Sequence, residues 1–204
     1  MDDILLDNKR FTIFGLPGSG KTELAKYIIR STDKYVVYDP LGANIEHHDF
    51  DGYRRYVPRD RTSATELSNF IRNTVIPNRR HIRLFVVDEA NTYVKPKPNR
   101  LPPGIQDLND LSRHWGIAWG LIARRPSQFH TDVVELCHYL FVFMLPGKND
   151  HRYLNSVMTG AGDAVEKLEP FQFLVIDFVR GHWYVHNPIP IDTEYHAPVL
   201  SRNQ

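Results

Sequence analysis

The segment RFTIFGLPGSGKTELAKYII, residues 10–29, decides the fold of this chain. It begins with an apolar run, passes through a glycine-rich loop and continues with apolar residues at helical spacing, Leu24, Tyr27 and Ile28. Glycines let the backbone wrap tightly, so that successive N–H groups and the N-terminus of the following helix face one point. The segment therefore predicts a strand, an anion-binding loop and a helix in direct succession.

The loop itself, GLPGSGKT, fits the phosphate-binding pattern G-x-x-x-x-G-K-[S/T], with a strand before it and a helix after it as the mechanism requires. Its nucleotide-binding residues are Gly15, Leu16, Pro17, Gly18, Ser19, Gly20, Lys21 and Thr22. Lys21 is expected to bridge the β- and γ-phosphates of a nucleoside triphosphate, and the Thr22 hydroxyl to ligate Mg²⁺. We therefore predict that the chain binds ATP together with Mg²⁺.

The composition is that of an ordinary globular protein. The 204 residues fit one domain, 1–204, and the formal net charge of +1 indicates neither nucleic acid nor a membrane surface as a partner of the whole chain. Any binding of a polyanion must then come from local basic patches. The single cysteine, Cys137, excludes an internal disulfide framework. The N-terminus does not resemble a signal peptide and no apolar run reaches membrane-spanning length, so we expect a soluble, non-secreted protein.

Short apolar runs alternate with amphipathic segments along the chain, which indicates successive β-α-β units. Further strands are predicted at residues 34–40, 82–90, 116–124 and 138–145, and helices over residues 62–76 and 104–115. Thr62 or Ser63 is the expected N-cap of the first of these helices, with Glu66 placed for a capping box. Residues 171–189 read as a hairpin. The predicted fold is α/β, a mostly parallel sheet flanked by helices with a C-terminal β-hairpin.

The segment LFVVDEA places two carboxylates in succession at the end of an apolar strand. Asp88 can hold the water shell of Mg²⁺, and Glu89 can orient and deprotonate an attacking water. A carboxylate base at this position favours hydrolysis of ATP over transfer of phosphate to a substrate. The alternative is a pair of strand-end acids that face solvent.

Two adjacent arginines, Arg124 and Arg125, end the apolar run of residues 116–124. Ligands of open α/β sheets lie beyond the carboxyl ends of the strands. The γ-phosphate is therefore the expected anion at this position, and Arg124, with Arg125 as a second candidate, could neutralise charge as that phosphate leaves. The alternative, stronger for Arg125 than for Arg124, is that the arginine pairs with a neighbouring acid or faces a subunit interface.

The segment RHWGIAWGLIARRPS resembles the FtsK–HerA superfamily of ring-forming DNA pumps. The residues in register with the family pattern are Arg113, Gly116, Ile117, Arg125, Pro126 and Ser127. The segment VVYDPLG resembles the second strand of that family, which ends in Asp-Pro, and the C-terminal hairpin resembles its closing strands. The resemblance spans residues 11–187, and the compact length resembles the viral genome-packaging branch.

This resemblance implies a RecA/FtsK-like P-loop NTPase that hydrolyses ATP and translocates double-stranded DNA into a preformed viral capsid. It also implies a ring homo-oligomer, a hexamer, which works with viral capsid or membrane-vertex proteins in the host cytoplasm or the virion. Arg113 would be an arginine finger acting on the neighbouring subunit. The chain departs from the family where Arg124 replaces a γ-phosphate-sensing glutamine, because arginine cannot accept a hydrogen bond from water. Either Arg113 or Arg124 could therefore be the finger.

The stretch of residues 94–104, VKPKPNRLPPG, is rich in proline and cations and cannot be a regular helix. Because it follows the strand that carries Glu89, its cations Lys95, Lys97 and Arg100 are candidates for contact with DNA phosphates. The alternative is a solvated loop on the outer surface. Two other functions remain open at this point, a secretion- or pilus-type motor ATPase with the same core chemistry and a small phosphotransferase.

Overall fold

An eight-stranded sheet organises the computed structural model, which describes residues 8–30, 32, 34–42 and 55–189. The strands are β1 (Arg10–Phe14), β2 (Tyr35–Tyr38), β3 (Arg55–Tyr56), β4 (Leu84–Val87), β5 (Ala118–Ala123), β6 (Tyr139–Phe143), β7 (Phe173–Asp177) and β8 (His182–His186). They lie in the order β3-β2-β4-β5-β1-β6-β7-β8; the first six are parallel, and β7 and β8 are added antiparallel. The predicted α/β fold, with its mostly parallel sheet and C-terminal hairpin, is confirmed.

Helices cover both faces of this sheet. They are α1 (Lys21–Ile29), α2 (Ala64–Phe70), which continues as a π-helical turn (Ile71–Val75), α3 (Pro103–Trp115), α4 (Thr131–Glu135), α5 (Lys148–Val157) and α6 (Ala161–Glu166). Short 3₁₀ turns follow β4 (Ala90–Thr92) and β5 (Pro126–Gln128). No helix within the described ranges has the length and apolar character needed to cross a membrane.

Successive residues of a strand enter two separate hydrophobic cores, one on each side of the sheet. In β1, Phe11 and Ile13 pack in the core that contains Leu24 and Ile28 of α1, whereas Phe14 packs in the core on the opposite face. This double burial explains why the parallel strands are almost continuously apolar in the sequence, since both faces of each strand must avoid water.

The sheet order brings the ends of three strands together. β5 lies between β1 and β4, so the loop after β1, the residues after β4 and the residues after β5 all emerge at the carboxyl edge of the sheet. The backbone N–H of Gly15 donates to the Ala123 carbonyl (3.3 Å), which joins the glycine-rich loop to the end of β5.

Local structure differs from the sequence predictions in a few places. The strand expected over residues 82–90 ends at Val87, and β3, α4, α5 and α6 were not predicted. Ser63 is the N-cap of α2, and its Oγ accepts a hydrogen bond from the Glu66 N–H (3.1 Å). The predicted capping box is therefore half formed. Its return bond is replaced, because the Glu66 carboxylate accepts hydrogen bonds from the Tyr56 hydroxyl and from backbone N–H groups of Arg59 and Asp60, while the Ser63 N–H donates to the Asp60 carbonyl.

Candidate functional site

The glycine-rich loop between β1 and α1 has a backbone that needs glycine at particular positions. Gly20 is the N-cap of α1 with φ of 104°, and Gly18 has φ of 77°, both in the region that other residues rarely adopt. A Cβ on Gly15 would lie 2.5 Å from Oγ of Ser19 and 2.9 Å from Cβ of Phe143. The glycines of the pattern are therefore required by the path of the chain as well as by close approach of a ligand.

The polar groups of this loop have the properties of an anion site. Oγ of Ser19 is buried without a hydrogen-bond partner, a state that costs free energy until a polar ligand arrives. The Lys21 ammonium donates to the Leu16 carbonyl across the loop (2.8 Å). Burial lowers the pKa of Lys21, while the nearby carboxylates of Glu89 and Asp88 act in the opposite direction. A bound polyphosphate would supply both an acceptor for Ser19 and a counter-charge for Lys21.

Asp88 and Glu89 follow β4 at the same edge of the sheet. Asp88 is 7 % exposed; its N–H donates to the Tyr38 carbonyl of β2 (2.9 Å), and its Oδ1 accepts from the Glu89 N–H (2.8 Å). Glu89 has φ of 44° and ψ of 39°, a left-handed conformation that costs a non-glycine residue on the order of 1–2 kcal/mol. This strained turn breaks the strand directly after Asp88, and it separates one buried carboxylate from one that is partly open to solvent.

A divalent cation fits these residues only together with a phosphate ligand. Within the described part of the chain, no group of three His, Cys, Asp or Glu side chains is arranged to hold a metal ion. Mg²⁺ is commonly held by one or two protein oxygens and by the phosphates of its substrate. The hydroxyl of Thr22 and the carboxylate of Asp88 are oxygen donors of the type that such a site uses, so these residue types fit Mg²⁺ bound with a phosphate.

The two arginines after β5 have different surroundings. Nη2 of Arg124 lies 3.2 Å from Oε2 of Glu89, with side chains 53 % and 22 % exposed, respectively. Nε of Arg125 lies 2.8 Å from Oδ2 of Asp150, a buried carboxylate that also accepts hydrogen bonds from the N–H and Oγ of Ser127. Arg124 therefore reaches the candidate site, whereas Arg125 is an ion-paired structural residue, as the alternative interpretation of the sequence held.

Arg113 lies at the other edge of the sheet. It is exposed in the last turn of α3, just before β5 begins. Its charge acts on Arg10 and His138, at the amino ends of β1 and β6. The structure thus does not bring Arg113 to the glycine-rich loop of its own chain.

The cations of residues 94–104 lie on an exposed segment that leads from the 3₁₀ turn after Glu89 to α3. The Lys95 ammonium donates to the Asn91 carbonyl (2.9 Å), and Nζ of Lys97 lies 2.6 Å from Oδ1 of Asp132. The hydrogen bond to Asp132 raises the pKa of Lys97. Arg100 is exposed. The segment is anchored at its start by the buried side chain of Val94.

A cavity of about 350 Å³ adjoins the loop on the side of α1. It is lined by Gly18, Gly20, Lys21, Thr22, Glu23, Phe143, Phe171, Pro188 and Ile189. The aromatic and C-terminal members of this lining were not predicted, since nothing in the local sequence connects residues 171–189 to the loop at residues 15–22. They reach it because β7 pairs with β6, which in turn pairs with β1.

Comparisons with known proteins place this geometry in a recognised fold. No protein-family profile and no curated protein sequence matches the chain. The genome packaging NTPase of Sulfolobus turreted icosahedral virus 2, solved with ATP-gammaS, matches with a TM-score of 0.80 at 19% identity, over 92% of this chain and 100% of that chain. The DNA-packaging ATPase of Sulfolobus turreted icosahedral virus matches with a TM-score of 0.79 at 18% identity, over 91% and 100% of the two chains.

A third solved structure extends the likeness beyond viruses. ATPases 2 and 3 of EssC from Geobacillus thermodenitrificans match with a TM-score of 0.60 at 14% identity, over 93% of this chain and 41% of that chain. At such identities the likeness establishes the fold, and the predicted resemblance to viral packaging NTPases is confirmed at that level. The chain has a P-loop NTPase fold.

Proposed function

We propose that this chain, acting as one ATPase domain over residues 1–204, is the subunit of a ring-shaped motor that hydrolyses ATP to move double-stranded DNA into a viral capsid. The observation that carries the proposal is the convergence of Lys21, Asp88, Glu89 and Arg124 at one edge of the sheet, beside a loop with a buried, unpaired hydroxyl. The fold shared with two viral packaging NTPases supports the choice of cargo.

The proposed reaction is the hydrolysis of the bond between the β- and γ-phosphates. The loop N–H groups and Lys21 bind the β- and γ-phosphates of ATP, and Glu89 takes a proton from a water whose oxygen attacks the γ-phosphorus. The bond to the bridging oxygen breaks, ADP carries away the electron pair of that bond, and inorganic phosphate forms. Thr22 and Asp88 would hold Mg²⁺, which supplies positive charge to the phosphate oxygens.

The ion pair between Glu89 and Arg124 joins the proposed base to a cation at the same edge of the sheet. The carboxylate that would accept the proton is occupied by a guanidinium at 3.2 Å. A γ-phosphate is a second anion for the same guanidinium, and an ion pair as exposed as this one is worth only about 0–1 kcal/mol, so exchange is cheap. Binding of ATP would draw Arg124 to the phosphate and release Glu89 for proton transfer.

Arg113 is proposed to act in a neighbouring subunit of a hexameric ring. It is exposed and lies away from the loop of its own chain, so it can serve only a site that another subunit brings to it. A positive charge added in this way stabilises the transition state of phosphoryl transfer and makes hydrolysis depend on assembly.

The segment with Lys95, Lys97 and Arg100 is the proposed contact with DNA. It follows the turn at Glu89, so a change at the hydrolytic carboxylate has a short path to it. Its ion pair between Lys97 and Asp132 is exposed and therefore weak, which leaves the lysine able to exchange Asp132 for a DNA phosphate. Repetition around a ring would multiply a modest basic segment into a strong contact.

A direct test of the DNA contact is the salt dependence of binding. Replacing Lys95, Lys97 and Arg100 together by alanine should lower the affinity for duplex DNA and reduce the slope of log affinity against log salt concentration. The control is the replacement of Arg79 and Arg80, an exposed basic pair elsewhere on the surface, by alanine. An unchanged slope in the triple variant would assign the DNA contact to another surface.

Partners and location follow the same proposal. The motor would work at the vertex of a viral shell, with capsid or membrane-vertex proteins as partners, in the host cytoplasm or in the virion.

The proposed function is tested by phosphate release from ATP, with and without linear duplex DNA, for the wild type and for Glu89→Gln. We expect DNA to stimulate hydrolysis and Glu89→Gln to reduce it by about 10²–10⁴ while nucleotide binding is retained. Glu166 is an exposed residue of α6, and Glu166→Gln is the control, which should hydrolyse ATP at the wild-type rate. Hydrolysis that depends on Glu89 but is not stimulated by DNA would retain the proposed site chemistry and indicate either a motor for protein cargo or a ring whose assembly needs the viral shell.

A further inference from the structure

Phe171 occupies a conformation that its residue type disfavours. Residues 169–172 form a turn closed by the hydrogen bond from the Gln172 N–H to the Glu169 carbonyl (3.1 Å), with Pro170 and Phe171 as the central pair. Phe171 has φ of 65°, as the third position of a type II turn requires, and glycine or asparagine is usual there. A bulky residue with positive φ is a genuine outlier, and such outliers concentrate at ligand sites.

The ring of Phe171 is also exposed to solvent. It is 57 % exposed, although the neighbouring Phe173 and Phe143 are buried. The ring lies beside the N-terminus of α1, since a Cβ on Gly20 would be 3.5 Å from Cδ1 of Phe171 and 3.2 Å from Cε1 of Phe143. The strained and exposed Phe171 lines the same cavity as Thr22 and Glu23 of α1.

We propose that Phe171 is the stacking platform for the nucleobase of the bound nucleoside triphosphate, with Pro188 and Ile189 as the other apolar part of the cavity. The inference rests on the proposed function, because it needs the triphosphate to lie on residues 15–22. The cavity of about 350 Å³ is lined both by the loop, at Gly18, Gly20 and Lys21, and by Phe171, so a nucleotide whose phosphates lie on the loop can bring its base to the ring. A purine ring in the cavity would cover the exposed face of Phe171.

Phe171 would contact the flat face of a base by stacking and would form no hydrogen bonds with the edge of the base. Stacking on an aromatic ring is available to every base, because every base has a π-face. The other apolar side chains that line the cavity are Phe143, Pro188 and Ile189, and the carboxylate of Glu23, also in the lining, is paired with Lys26. We therefore expect ATP and GTP to gain similarly from Phe171, so that the platform raises affinity for nucleotides without selecting adenine.

The experiment compares ligands with and without a base. Affinities for ATP, GTP and inorganic triphosphate are measured by calorimetry for wild type, Phe171→Gly and Phe171→Trp. Phe171→Gly should weaken ATP and GTP about tenfold and leave triphosphate unchanged. Its thermal midpoint should be equal to or above that of the wild type, because glycine relieves the positive φ. Phe171→Trp should keep wild-type affinity for both nucleotides.

The matched control is Val179→Gly, an exposed apolar side chain in the turn between β7 and β8, at the opposite end of the same hairpin. It should leave all three affinities unchanged. Equal loss of ATP and triphosphate in Phe171→Gly would overturn the proposal, since the ring would then only shape the phosphate loop. Unchanged affinities of Phe171→Gly for both ATP and triphosphate would also overturn the proposal.

The outcomes separate this inference from the proposed function. Wild-type protein that binds triphosphate as tightly as ATP would defeat the stacking platform and leave the phosphate site intact. Wild-type protein that binds neither ligand, or binds them no more weakly after Lys21→Ala, would defeat the proposed function itself and the platform with it.

Discussion

The two edges of the parallel sheet place their charged groups in different surroundings. At the amino edge, the Arg10 N–H donates to Nδ1 of His138 (3.1 Å), the His138 N–H donates to the Arg10 carbonyl (2.8 Å), and the Arg10 guanidinium donates to the Asn109 carbonyl (2.6 Å). At the carboxyl edge, the hydroxyl of Ser19 is buried without a partner and Glu89 is held in a left-handed turn.

Charge alone therefore does not mark the functional edge. Both edges carry arginines. Arg10 at the amino edge is hydrogen-bonded within the fold, whereas at the carboxyl edge Arg124 and Lys21 lie near the carboxylate of Glu89, beside a buried Ser19 hydroxyl without a partner that a phosphate ligand would satisfy. A native structure tolerates such costs where the surrounding fold holds them in place, which is the usual situation at a binding site. Substitutions of the residues near the glycine-rich loop should therefore change activity, and substitutions of charged residues that are paired within the fold should change stability.

Arg113→Ala is expected to have the largest effect, and it concerns a residue of the amino edge that should affect activity. Arg113 lies at the amino edge, yet we expect its loss to lower ATP hydrolysis of the assembled protein on the order of 10³-fold with nucleotide binding retained. The measurement is phosphate release at saturating ATP. His114→Ala, its exposed neighbour in α3, is the control.

Mixing experiments make the trans action of Arg113 specific. A mixture of Arg113→Ala and Lys21→Ala subunits should recover part of the wild-type rate, because some interfaces then join an intact loop to an intact arginine. Failure of the mixture to recover activity, when each variant alone is inactive and assembles, would place Arg113 outside the site.

Lys21→Ala should have the second largest effect. It should lower the rate of hydrolysis by roughly 10²–10³, as expected for the loss of one charge-stabilising donor. Because Lys21 is a partly buried cation whose pKa burial lowers, its removal should not lower the thermal midpoint of the nucleotide-free protein. Lys26→Ala, on the same helix and ion-paired with Glu23, should keep wild-type activity. A large loss of stability in Lys21→Ala would contradict the functional reading of this edge.

The adjacent Arg124 and Arg125 lie at the same edge but should differ in their effects on activity and stability. Arg124→Gln should lower the rate of hydrolysis roughly tenfold or more with little change in the free energy of unfolding, since its pair with Glu89 is exposed. Arg125→Ala should cost about 3 kcal/mol of unfolding free energy, because it leaves the buried Asp150 without its counter-charge. Both variants are measured by chemical denaturation and by phosphate release. A large loss of stability in Arg124→Gln together with a loss of hydrolysis alone in Arg125→Ala would refute the assignment.

The smallest effect concerns pH at the amino edge. Burial, followed by the charge of Arg10, lowers the pKa of His138 to about 4, below the value of about 6.5 in the unfolded chain. The unfolded state therefore takes up the proton first as pH falls, and stability declines between pH 6.5 and 4. Replacement by glutamine should reduce this decline in thermal midpoint, modestly because His138 is only partly buried. His114→Gln should leave the decline as it is in the wild type. If the thermal midpoint of His138→Gln depends on pH as that of the wild type does, His138 does not cause the decline.

Parts of the site that depend on short spacings were predictable. The loop pattern, the alternation of strands and helices and the acid pair after an apolar strand each lie within a few residues of sequence, and the sheet order then brings them to one edge. The cap at Ser63 was predictable for the same reason, but the partners of Glu66 were not. Its carboxylate bonds to residues that a tertiary turn brings near, in competition with the local capping box.

Sequence by itself determined the phosphate loop and the fold class, because backbone conformation and double burial of strands impose local patterns that residues must satisfy. Only the tertiary structure decided which arginine meets Glu89, which is paired with Asp150, and which lies at the far edge. It also brought Phe171 to the loop through the pairing of β1, β6 and β7. These contacts join residues tens to more than a hundred positions apart, and their specificity comes from packing and strand order, which no local spacing records.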